Sequence, residues 1–155
     1  MRALVIYDSI YGNTEKIAQA IASVLGERAA VDLAKVGQDE PVDWSGFELV
    51  VMGGPIHRVN LSAAMKALLK EIPKRALRGA SVAAFETCYR NPRWQRGAAA
   101  RKLARKARKF GGRLVVPAES FFVVGREGPL EEGEEERARQ WAHAILEGMH
   151  TSEQR

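Results

Sequence analysis

The 155-residue chain is expected to fold as a doubly wound α/β domain, a parallel sheet with helices on both faces. Three observations lead there. Short apolar runs alternate with segments of helical period, and the connections between them are short. The runs also lack the clean polar alternation of a sheet wetted on one face.

Each element follows in order. Ala3–Tyr7 is the first buried strand. Ile17, Ile21, Val24 and Leu25 then share one face of a helix that Gly26 ends. Ala29–Leu33 is a weaker run that suits a strand nearer an edge. The stretch from Asp39 through Trp44 to Phe47 is a short turn where another helix would fit. Phe47–Met52 is the next strand; Leu61, Met65, Leu68 and Ile72 form the next stripe, stopped by Pro73. Ser81–Phe85 is a strand, followed by the stripe Ala100, Leu103, Ala107 and Phe110 before Gly111 and Gly112. Leu114–Val116 closes the strands, and Ala138, Trp141, Ala142, Ile145 and Met149 form the last helix. Residues 1–150 make one domain, with a tail over 151–155.

Composition narrows the function. With 46% hydrophobic and 28% charged residues, the chain is an ordinary globular protein. No apolar run approaches the roughly 20 residues of a spanning helix. Asp8 cuts Ala3–Tyr7 too short for a signal sequence, so a cytoplasmic location is expected. The single Cys88 excludes an internal disulfide, and no residue cluster has metal-ligand spacing. Net charge is +5, unevenly spread: ten Lys or Arg and no acid between Arg90 and Arg113, then five Glu from Glu131 to Glu136. Such runs are usually solvated helix faces, yet a basic face can also steer an acidic partner or an anionic membrane.

The most informative segment is Tyr7-Asp8-Ser9-Ile10-Tyr11-Gly12-Asn13-Thr14, which turns a strand into a helix. Such a turn leaves backbone N–H groups unpaired at the positive end of the helix dipole, an anion site. Gly12 allows close approach, and Ser9, Asn13 and Thr14 add short polar side chains. The sequence lacks the lysine of a Walker loop and has one glycine where a dinucleotide fingerprint has three. The plain alternative is a capped helix. Two more loops follow strands: Gly53–Asn60 and Glu86–Trp94. Asp8 would suit a phosphoacceptor, but that chemistry needs an acid ending the third strand, where Gly53 stands.

Together these loops resemble the flavodoxin-like family. Ser9-Ile10-Tyr11-Gly12-Asn13-Thr14 is similar to its phosphate loop, departing at Tyr11; Gly53-Gly54-Pro55-Ile56-His57 is similar to its second loop; Glu86-Thr87-Cys88-Tyr89-Arg90-Asn91-Pro92 stands where its third loop does. The resemblance implies a five-stranded parallel sheet of order 2-1-3-4-5 in three α/β/α layers. It implies FMN as cofactor, with Ser9, Ile10, Tyr11, Gly12, Asn13 and Thr14 at the phosphate. Gly54, Pro55, Ile56, His57 and Arg58 would line one side of the flavin ring, and Thr87, Cys88 and Tyr89 the other. Gly53 and Gly54 are expected to let a peptide turn toward the flavin, and Arg58 to raise its reduction potential.

The expected function is electron or hydride transfer through FMN to a redox partner protein or a small acceptor such as a quinone. Flavodoxin-fold quinone oxidoreductases and a menaquinone-linked protoporphyrinogen dehydrogenase are similar across the middle loops. The alternative is a partner module of this fold that no longer holds flavin, with Tyr11 and His57 as its departures. A membrane surface remains open for the Arg90–Arg113 face, and the oligomeric state is open. Nucleic acid ranks last, because only Tyr89 and Trp94 offer aromatics beside the cations. Cys88 reads as a small buried residue.

Overall fold

The structure, a computed structural model, describes residues 1–38, 41–56 and 60–153. Strands β1 (Arg2–Tyr7), β2 (Ala30–Lys35), β3 (Leu49–Pro55), β4 (Ser81–Tyr89), β5 (Arg113–Leu114) and β6 (Glu119–Val123) form one parallel sheet. Helices α1 (Asn13–Leu25), α2 (Ala63–Glu71), α3 (Ala98–Lys109) and α4 (Glu134–Glu153) flank it, with a 3₁₀ turn at Arg93–Gln95. The order is β2-β1-β3-β4-β5, as expected, with β6 also on β4. The layers are α/β/α.

Side-chain parity along the strands assigns the two cores. Ala3, Val5, Leu49, Val51, Ala83 and Phe85 face α1 and α4; Leu4, Ile6, Val50, Met52, Val82 and Ala84 face α2 and α3. Both sets are almost wholly buried, which explains why the strand sequences do not alternate. Strand β2 lies at the edge and leaves Leu33 41% exposed, in keeping with its weaker run. Among the described residues, no helix stands between β2 and β3.

The fifth strand position differs from the sequence expectation. A strand over Leu114–Val116 gives way to two segments, β5 and β6, with Pro117 between them. Proline has no N–H for the ladder, so pairing stops and resumes. Helix α4 crosses tightly there: a Cβ on Gly148 would stand 2.4 Å from the Val115 carbonyl oxygen. Pairing with β6 gives the far end of β4 hydrogen-bond partners, from Phe85↔Glu119 to Tyr89↔Val123. Glu86–Tyr89, expected as loop, is therefore strand. Helix α4 continues to Glu153, into the stretch expected as tail. No helix of the described residues is long and apolar enough to cross a membrane.

The paired glycines behave differently from expectation as well. Gly53 and Gly54 sit inside β3, opposite Phe85 and Glu86 of β4, and neither has a positive φ. Cross-strand pairing on through Pro55↔Thr87 holds them as strand rather than as a hinge. Gly53 has a packing role: a Cβ there would lie 2.1 Å from the Phe85 ring. That ring is one corner of an edge-to-face trio with Phe121 and Trp141, centroids about 6 Å apart. A Cβ on Gly54 meets Met65 Cε at an ordinary 3.7 Å. Gly53→Ala should therefore cost about 1–3 kcal/mol by overpacking, with Gly54→Ala much milder. Urea unfolding of both variants checks this; equal losses would show that the Phe85 ring is not the constraint.

Candidate functional site

The anion loop is built from the end of β1. Asp8 N–H donates to the Gly53 carbonyl (3.0 Å), and the buried Asp8 carboxylate accepts from the Ser62 hydroxyl. Ser62 in turn caps α2 by accepting from Met65 N–H at 3.2 Å. The loop's entrance is thus anchored to both β3 and α2. On the other side, the Tyr7 phenol donates to Glu15 in the first turn of α1 (2.7 Å). Burial and the Glu15 carboxylate push that phenol up to about 12, so it remains a donor at neutral pH.

Gly12 takes the left-handed conformation (φ 91°) that lets α1 start immediately after a tight loop. Ser9 Oγ accepts from the N–H of Gly12 at 3.0 Å and of Glu15 at 3.4 Å, which leaves its own hydroxyl proton to donate outward. The N–H groups of Ile10, Tyr11, Asn13 and Thr14 find no acceptor among the described residues. At a helix N-terminus such a set of donors is chemically suited to an anion. Thr14 is almost fully buried and shares a 2.7 Å hydrogen bond with the Thr87 hydroxyl, joining α1 to β4.

A cavity of about 630 Å³ opens beside this loop at the carboxyl edge of the sheet. That size falls within the range of about 300–1,000 Å³ usual for small-molecule and cofactor sites. Of the residues expected from sequence, Ser9, Ile10, Tyr11, Asn13, Thr14, Pro55, Ile56, Thr87, Cys88 and Tyr89 line it. Gly12 and Gly54 do not: Gly12 shapes the loop from its αL position, and Gly54 is buried within β3. His57 and Arg58 lie outside the described residues. Gln95, Val123 and Arg126 also line the cavity and were not anticipated. Val123 ends β6 and Arg126 follows it, so recognising β6 would have drawn attention to both, since ligand loops leave strand carboxyl ends.

The wall formed by β4 is held from behind. Glu86 is completely buried, and its carboxylate accepts from Gly97 N–H (2.8 Å), Ala100 N–H (2.9 Å) and Ser120 Oγ (3.1 Å). It therefore caps α3 and ties it to β4 and β6 with one side chain. Phe122 N–H donates to buried Glu134 (2.8 Å), while Arg137 binds the same carboxylate and lies 4.7 Å over the Phe121 ring. Burial raises the Glu134 carboxyl and these donors lower it; the donors prevail, so it titrates below its ordinary value. Cys88, two residues past Glu86, is buried where it lines the cavity. Burial first, then the Glu86 carboxylate, push its thiol far above the usual range.

The parts fit a known class. A doubly wound sheet with unpaired N–H groups after β1 and a cavity across the strand carboxyl ends is the architecture of an open α/β domain whose crevice lies at the strand carboxyl ends. A family model described as flavodoxin domain matches residues 4–122, and the chain belongs to that family. Among solved structures, it is similar to oxidised flavodoxin 1 from Bacillus cereus, with a TM-score of 0.80, 19% identity, and coverage of 95% of this chain and 98% of that one. A flavodoxin from the domain Archaea superposes with a TM-score of 0.75 at 20% identity over 97% and 99% of the two chains. Rubredoxin oxygen:oxidoreductase from Desulfovibrio gigas matches at 0.74 and 19% identity over 97% of this chain, which spans only 36% of that one. No curated protein sequence matches the chain significantly.

Two outcomes are expected from this geometry. In Glu86→Gln, an amide N–H₂ must face one of the N–H groups that the carboxylate now accepts, so stability should fall by about 1–3 kcal/mol. Calorimetry gives the comparison, and an unaltered melting point would mean that water or another acceptor serves the α3 terminus. Cys88 should resist alkylation by iodoacetamide at pH 8 in the native protein and react readily in urea, because the thiolate is the nucleophile. Equal rates in both states would contradict the burial that raises its pKa.

Proposed function

We propose that the chain binds FMN in this cavity and carries electrons or hydride between a donor and an acceptor. The observation that supports the reading best is the unpaired N–H array of Ile10, Tyr11, Asn13 and Thr14 beside the outward-facing Ser9 hydroxyl. This is a donor set for a phosphate. Tyr11, where the motif departs from a small hydroxyl, is 45% exposed and leaves its N–H in place. Apolar and aromatic groups of Pro55, Ile56, Tyr89 and Val123 supply walls for a flat ring, and no carboxylate lines the cavity among the described residues. When bound, FMN would supply the redox chemistry.

The chain's own residues would bind and orient it. Thr87, locked to Thr14, keeps the phosphate loop and the β4 wall at a set spacing. Cys88 contributes packing rather than thiol chemistry, because its proton is held well above neutral pH. For partners, the reading extends to an acidic surface. Arg101, Arg105, Arg108 and Lys109 of α3 are exposed, and no ion pair engages them among the described residues. Cations so placed would accelerate encounter with an acidic redox protein.

The test is a titration of the purified protein with FMN, followed by quenching of flavin fluorescence and by the visible absorption spectrum. Stoichiometric binding is expected. Ser9→Ala should weaken it by about 1–3 kcal/mol, the range for a hydrogen bond to a charged group. Protein that takes up no FMN would leave the flavin-free module as the function of this fold.

A further inference from the structure

We propose that Arg126 is the cation of the phosphate site, delivered by the loop after β6 rather than by the phosphate loop itself. The inference rests on the FMN reading and adds a residue that the sequence motif does not contain. The phosphate loop carries no lysine or arginine between Asp8 and Glu15. The next cation along α1, Lys16, borders a different depression, together with Glu131, Glu134, Glu135 and Glu136. Arg126 is the single charged side chain among the described residues that line the cavity. It has no acidic partner among those residues. A cavity whose charge is one cation and no acid is matched to an anion.

Its loop is held at the correct end of the cavity. Val124 N–H donates to the Pro129 carbonyl (2.8 Å) and Gly128 N–H to the Gly125 carbonyl (3.0 Å), closing residues 124–129 into a compact turn. The Asn13 side-chain amide donates to the Glu127 carbonyl at 3.2 Å. Gly128, at φ +104°, lies so close that a Cβ there would stand 2.6 Å from Asn13 Oδ1. Asn13 is the first residue of α1, and its own N–H belongs to the unpaired anion-facing set. One side chain therefore pins the loop that carries Arg126 to the helix terminus at which a phosphate would sit. A guanidinium can reach a phosphate oxygen from a neighbouring loop, and the planar fork suits that geometry.

Arg126 is exposed and makes no hydrogen bond among the described residues, so its replacement leaves the fold intact, which circular dichroism checks. The experiment compares FMN with riboflavin, which lacks the phosphate, by fluorescence titration of wild type, Arg126→Gln and Arg126→Lys at low and high salt. Arg126→Gln should weaken FMN about tenfold and riboflavin by less than about twofold, as suits a charge-assisted bond at an exposed site. Arg126→Lys should keep most of the FMN affinity, and the salt dependence of FMN binding should be shallower in Arg126→Gln. Unchanged FMN affinity in Arg126→Gln would overturn the assignment. So would equal losses for FMN and riboflavin, which would put Arg126 on the ring or ribityl chain. A wild type that binds neither flavin would overturn the FMN reading together with the assignment; a wild type that binds FMN keeps the two apart.

Discussion

A single buried carboxylate holds the cavity's architecture together. Glu86 is removed from water at the middle of the β4 carboxyl half, where a charge is costly unless fully paired. Its partners are the N-terminus of α3 and the Ser120 hydroxyl of β6. Each of those elements carries a wall. Cys88 and Tyr89 follow Glu86 on β4, Gln95 precedes the capped end of α3, and Val123 and Arg126 follow Ser120. Satisfying Glu86 thus fixes three walls at once, and loosening any one of its bonds would leave a buried charge exposed to the others' strain.

The α1–α4 side of the sheet depends on packing rather than on charge. The Phe85, Phe121 and Trp141 rings meet edge to face beneath the sheet, and Gly53 leaves the space that Phe85 occupies. Through the 2.7 Å Thr14–Thr87 bond, the helix that presents the anion loop is attached to the same strand, β4. Loop and wall are therefore tied to one strand, an arrangement that favours preorganisation.

Part of the chain's uneven charge has a local cause. Lys106, Arg108 and Lys109 fall in the last turn of α3, and Glu134, Glu135 and Glu136 in the first turn of α4, where each sign opposes the helix dipole favourably. Arg90 pairs with Glu131 at 2.9 Å and stacks 4.3 Å over Phe122, so that cation is structural. Exposed cations without an ion pair among the described residues remain on the outer face of α3, whose inner face is the buried stripe Ala100, Leu103, Ala107.

The sequence by itself determined the strand and helix alternation, the sheet order through the family motif, and the anion loop. The alternation and the loop depend on local periodicity and on short-range turn chemistry, while the sheet order was only what the family resemblance implied. Tertiary structure alone decided the rest. Glu119–Val123 became a strand because β4 offered it a partner, and that pairing turned Glu86–Tyr89 from loop into wall. The loop that follows the same strand, and carries Arg126, meets Asn13 through the Glu127 carbonyl, over a hundred positions away in the chain. Glycines that look like a hinge in sequence proved to be sheet residues, because cross-strand hydrogen bonds and a neighbouring ring constrain them more than their own freedom releases them. Pairing and close approach between distant segments are set by the whole fold's packing, and no local pattern in the chain encodes them.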